Sequence, residues 1–332
     1  MRHRVVFGAL SLLAAALVVA CVMRGEDAWA RAALPAAVLA LLAFLVYAAA
    51  GGPGVLRVGG AMFRKTLLTY LSYRAQLVAI VGWTTLTVLV LFFAGGHVLR
   101  ALIPALATLE ADEAFPRHFV VALVIGFTTW PIFWKAWEVT TLGVRTEQWE
   151  GTFEPMVPMP YGVRSLPFGY LFARIPYTIF FNLVVLGALA LAMPEGAIRL
   201  RGARGWLDFA AVLGAAIACM WGLGLLFGGL AVLYKRVGPI DLVVRTLFIF
   251  LAGVFIPVEI FPGWAQGLAR LLPMTYAYEL LRMVAVDGIP LAEAGASLGI
   301  LLGFAAASIL AGNALYHHFT NKARRLGAIQ GY

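Results

Sequence analysis

Residues 224–282 read GLLFGGLAVLYKRVGPIDLVVRTLFIFLAGVFIPVEIFPGWAQGLARLLPMTYAYELLR. Two apolar runs are separated by Lys235, Arg236, a Gly-Pro pair and Asp241. A membrane-spanning helix needs roughly 20 apolar residues. The first run therefore completes one crossing, and the second, over 242–257, makes another. The chain beyond is still apolar, but Pro257, Pro262, Gly263, Pro273 and Pro290 divide it into pieces too short to cross. Segment 258–291 reads as short helices that dip into the membrane and return. Within it, Glu279 and Arg282 stand three apart and are expected to pair.

The same reading extends outward over the whole chain. Of 332 residues, 62% are hydrophobic and 12% charged, against roughly 25% charged in a soluble domain. The fold class is all-α integral membrane. Eight spans are expected, near 5–23, 32–50, 76–97, 118–139, 168–193, 208–232, 242–257 and 292–315. With Met1 placed in the cytoplasm, most of the 25 Lys and Arg fall inside and most of the 16 Asp and Glu outside, as the positive-inside rule requires. Both termini are then cytoplasmic. The loop IRLRGARGW dissents, putting Arg199, Arg201 and Arg204 outside. Binding of anionic lipid there, or a miscounted span, would account for it. The net charge of +9 follows topology and does not point to nucleic acid.

Little in the sequence points to catalysis. His3, His97, His118, His317 and His318 lack zinc-site spacing, and none of the four lysines follows a glycine as a phosphate-binding loop demands. No metal or cofactor is expected on this chain. Cys21 and Cys219 sit in apolar runs and read as small buried hydrophobes. The run ending LVVAC also loosely resembles a lipoprotein signal at Cys21, but an uncleaved first span fits its length better. In the fourth span, Lys135 and Glu138 can pair, while Trp130, Trp134 and Trp137 suit an interfacial aromatic belt. Gly224 and Gly228, like Gly299 and Gly303, have the spacing that lets helices approach closely.

Two cytoplasmic segments stand out. Residues 55–75 mix Arg64, Lys65 and Arg74 with apolar side chains and read as a helix lying along the membrane surface. A plain basic linker is the alternative. Residues 145–160, RTEQWEGTFEPMVPMP, gather Arg145, Glu147, Glu150 and Glu154 around Trp149 and a Gly151-Thr152 pair. They are expected to form a short helix over 141–155, interrupted at Gly151 and ended by Pro155. Glu147, Glu150 and Glu154 would share one face. Acids beside an aromatic suit a protein contact, although a solvated loop is the plainer reading of the residues alone.

Both quoted stretches resemble the ABC-2 family of ATP-binding-cassette export permeases. Glu150, Gly151, Thr152, Glu154 and Pro158 or Pro160 take the places of its cytoplasmic signature, though PMVPMP replaces the usual leucine-rich run. Phe255, Pro257, Glu259, Pro262, Trp264, Pro273, Thr275 and Tyr276 fit its closing half. The resemblance covers about 55–325 and leaves two extra spans in residues 1–50, ahead of a permease domain over 51–332. It implies a six-helix core, with 55–75 as the interfacial elbow, 141–155 as the coupling helix and 258–291 as re-entrant outer helices around an exit gate. It implies a separate ATPase subunit that uses ATP and Mg, contacted through Arg145 to Glu154. It also implies a permease homodimer or heterodimer in a bacterial inner membrane. GVFIPVE and PGW look closer to the drug- and antibiotic-type branch, hence a hydrophobic or amphipathic cargo. A lipid-linked glycan exporter is the alternative, and an intramembrane enzyme or a scaffold is the reading of another class.

Overall fold

The computed structural model describes residues 114–159, 162–192, 198–200, 202–234, 237–254 and 257–326, with scattered positions between 34 and 86. The first expected span, most of the second and third, Cys21, Lys65, Arg74, Pro160, Arg201 and Phe255 lie outside the described residues.

All regular structure among the described residues from 114 onward is helical. Helix α1 runs Ala114–Trp149. A four-residue helix, α2, covers Phe153–Met156. The long helices α3, Gly162–Ala192, and α4, Gly202–Tyr234, follow. Helix α5, Gly238–Leu251, starts with Pro239 in its first turn, where the missing N–H costs nothing. The chain then passes through a single 3-10 turn at Val258–Ile260, α6 at Gly263–Ala269 and α7 at Pro273–Arg282. A π-helical turn at Met283–Asp287 and a 3-10 turn at Leu291–Ala294 lead into α8, Gly295–Arg325.

Among the described residues, Gly162–Gly187, Gly202–Tyr234 and Leu291–Arg325 are long and apolar enough to cross a membrane. Segment 258–291 is broken into short helices, as its prolines require. Three boundaries differ from expectation. Residues 141–149 are not a separate helix but the last turns of α1. That helix has 36 residues, about 54 Å at the usual rise, well beyond a hydrocarbon core of roughly 30 Å. Pro155 lies inside α2 and does not end it. Helix α8 likewise continues ten residues past the expected end at 315, so His317 and His318 lie within it.

Helix α4 is the centre of the fold. Of its most apolar window 72% is buried, against 50% for α3 and 22% for α8. Bulk is removed from α4 where neighbours cross it. A Cβ on Gly224 would strike the Trp137 backbone and one on Gly228 the Thr140 side chain, both on α1. A Cβ on Gly222 would strike the backbone at Ser308–Ile309, and one on Gly229 would crowd Tyr316, both on α8. In lipid no hydrophobic effect pulls helices together, so close backbone packing has to. Gly299 and Gly303 face open space, so that second repeat packs nothing among the described residues. Leu34, Val38 and Leu42, four apart on one helical face, are buried in the same apolar cluster as the helices from α1 onward.

Candidate functional site

The end of α1 explains the Gly-Thr pair. Gly151 adopts a left-handed φ of 69°, a conformation that suits glycine. The Gly151 N–H donates to the Gln148 carbonyl at 3.4 Å, and the Thr152 N–H to the Glu147 carbonyl at 3.0 Å. These two bonds make a Schellman cap, which satisfies the last carbonyls of the helix. The Thr152 hydroxyl also donates to the Glu147 carboxylate. Tyr170 of α3 donates its phenol to the other carboxylate oxygen at 2.7 Å.

Glu147 is therefore 3% exposed and satisfied from two sides. It does not share a face with Glu150 and Glu154, because Gly151 turns the chain and the expected i, i+3, i+7 spacing no longer runs along one helix. Phe153, 2% exposed, anchors the far side of the turn. What remains outside is a corner of Trp149, Glu150, Gly151, Thr152, Glu154, Pro155, Pro158 and Met159. The C-terminal half of α8 braces it. Arg324 donates to the Val157 carbonyl at 3.1 Å and Tyr316 to the Val163 carbonyl at 2.8 Å. Arg145 points away from the corner, its guanidinium packed against Gly238 at the start of α5.

Further up α1 lies a polar cluster between α1 and α5. Lys135 and Glu138 pair as expected. Trp137 does not sit in an aromatic belt. It is 1% exposed and packs on Phe227 and Phe248. Its indole N–H donates to Asp241 Oδ1 at 2.6 Å. Arg245 donates to Asp241 Oδ2 at 2.7 Å, lies 3.9 Å from Glu138 Oε1, and has its guanidinium 4.2 Å from the Trp134 ring centre. Asp241 and Arg245 are the buried residues of α5, while Ile240, Val243, Leu247 and Phe250 face outward. The helix is thus polar inside and apolar outside, which suits lipid or a second apolar surface. This pair was missed from sequence. Its signal was an Asp and an Arg four apart in an otherwise apolar run.

The proline-broken segment 257–282 is held by side chains capping backbone. Thr275 donates to the Ala269 carbonyl at 2.6 Å, and Tyr276 to the Arg270 carbonyl at 3.0 Å, stapling α7 to the end of α6. Gln266 donates to the Phe261 carbonyl at 2.9 Å. Pro257 and Pro262 precede the Val258–Ile260 turn and α6, both with extended ψ. Glu259 and Trp264 are exposed, Trp264 in line with exposed Leu268 and Leu271. The expected Glu279–Arg282 pair does not form. Arg282 turns inward to the Gly253 carbonyl, and Glu279 accepts from Ser297 at 3.3 Å. The Arg199 N–H donates to the Ala285 carbonyl at 2.8 Å, tying the chain ahead of α4 to the π-helical turn, a backbone bond that leaves the basic charge of this loop unexplained. Of the basic residues expected in a surface helix over 55–75, Arg64 is helical and exposed.

A family model described as ABC-2 type transporter matches residues 60–286, from ahead of α1 into the π-helical turn. The chain belongs to the ABC-2 transporter family. Among curated proteins nothing matches. Membership makes it the membrane component of a transporter that normally pairs with an ABC ATPase subunit. Apart from Arg64, the described site residues read from sequence fall in two places on this ABC-2 chain. The corner at the end of α1 gathers Trp149, Glu150, Gly151, Thr152 and Glu154, with Glu147 buried behind it and Arg145 turned away toward the start of α5. The proline-broken segment carries Pro257, Glu259, Pro262, Trp264 and Tyr276.

Proposed function

We propose that this chain is the permease subunit of an ATP-driven exporter. Its cargo is a hydrophobic or amphipathic small molecule or lipid-like compound, taken from the cytoplasm or inner leaflet of a bacterial inner membrane. ATP and Mg are used by a separate ATPase subunit, and two permeases, identical or related, assemble with two ATPases. The observation that carries this reading is the corner at 149–159. It presents an aromatic and two acids, and it is braced from behind by α1, α3 and α8. A protruding element with a buried anchor and a capped, rigid backbone suits a load-bearing contact. Family membership supports the pairing with an ATPase, and the apolar outward face of α5 supports an apolar cargo.

In this reading the ATPase grips the corner and its closure on ATP displaces α1 as a lever. The segment 258–291 is the outer gate, and residues 55–75 the surface elbow. The test is charge reversal at Glu150 and Glu154, followed in cells expressing both subunits by efflux of a lipophilic fluorescent dye. Uncoupling of ATP hydrolysis from efflux is the expected result. Unchanged efflux would sink the coupling role of the corner.

A further inference from the structure

We propose that Asp241 and Arg245, held by Trp137 and Glu138, are the joint that hands movement of the docking corner to α5; this rests on the docking reading above. Helix α5 has no acid or base on its outward face from 238 to 251, and the two it owns are both turned toward α1. Asp241 uses one oxygen for the indole of Trp137 and the other for Arg245. Arg245 then approaches Glu138 and covers Trp134. Arg145, on the same α1 but next to the corner, lies against the first residue of α5. Four side chains spread over residues 134–145 of α1 therefore hold the first two turns of α5. Trp137 is twelve residues from Trp149, about 18 Å along a continuous helix.

Charge is a poor choice for stability here. Desolvating two ions costs about what their attraction returns, and apolar side chains of similar size often hold as well. What the charges add is position. Rotating or sliding α5 on its own would carry Asp241 and Arg245 toward the apolar surface where Val243 and Leu247 now lie, at high cost. Helix α5 therefore follows α1. Asp241 and Arg245 are positioning residues, acting on the pathway through the helix that carries them.

The test uses the full permease with its own ATPase subunit in lipid nanodiscs. Spin labels at Phe180→Cys on α3 and Leu247→Cys on α5, both exposed positions, are placed in a Cys21→Ser/Cys219→Ser background and diluted with unlabelled protomers. The α3–α5 distance is read with and without ATP plus vanadate. The native pair is expected to change spacing on nucleotide. Asp241→Leu/Arg245→Leu is expected to keep its melting temperature and its bound ATPase, while the fraction of complexes reaching the new spacing falls about tenfold, within the usual size of coupling between sites. A full shift in the double variant, or no shift in the native complex, would overturn the joint. If the double variant fails to fold, Asp241→Asn keeps the shape and the bond from Trp137 but loses the charge. Here too a large loss of the shift is expected, and a normal shift overturns the proposal. A native chain that binds no ATPase at all sinks the docking reading itself, before the joint is reached.

Discussion

Glu147 is a structural carboxylate within the stretch we propose as the docking corner. Its two oxygens receive hydroxyls from Thr152 and Tyr170, closing the turn onto α3. Removing an acceptor leaves buried donors unsatisfied, at about 1–3 kcal/mol. Glu147→Ala is therefore expected to lower the melting temperature measurably in detergent, whereas Glu150→Ala, at an exposed position, is expected to leave it unchanged. Equal melting temperatures for the two would show that Glu147 carries no such load. The sequence marked all three acids alike, because spacing along a helix assumes that the helix continues. The left-handed Gly151 that breaks it is a matter of backbone geometry, and only the bonds around it reveal which acid faces inward.

At the scale of elements, apolar length made the cores of α3, α4 and α8 legible, since no other feature produces such runs. Their ends were not. Helices α1 and α8 continue into regions whose charges lower hydropathy without ending a helix, as at Arg145–Trp149 and Lys322–Arg325. The prolines of 257–290 did fix the segment broken into short helices, because each removes a donor and fixes a backbone angle. Helix contact depends on residues too small to register in hydropathy. Gly224 lets α4 rest on the backbone of α1 at Trp137. Gly224→Leu is expected to force α1 and α4 apart and cost about 1–3 kcal/mol or more, read as a lowered unfolding temperature and loss of monodisperse protein. Gly299→Leu, facing open space, is the control expected to behave as native. Equivalent loss in both would contradict the packing described for α4.

Across the whole molecule, three features line up from one end to the other. The exposed corner sits at the end of α1, the charged joint between α1 and α5 lies further along it, and the stapled short helices α6 and α7 follow α5. The resemblance read from 145–160 and 224–282 reached the family, now matched over 60–286. It did not reach the joint, because Asp241 and Arg245 are recognisable only once α5 is seen to bury them. The measurement that bears most directly on this arrangement is co-purification. The tagged chain is expressed in its own host, extracted in mild detergent, and its partners are identified and quantified. A stoichiometric ATP-binding-cassette subunit is expected, retained by the native chain and lost from Glu150→Lys/Glu154→Lys. A stable, folded permease that repeatedly brings down no such subunit, or one that keeps it after both reversals, would contradict the corner at 149–159 as the place where ATP is coupled to transport.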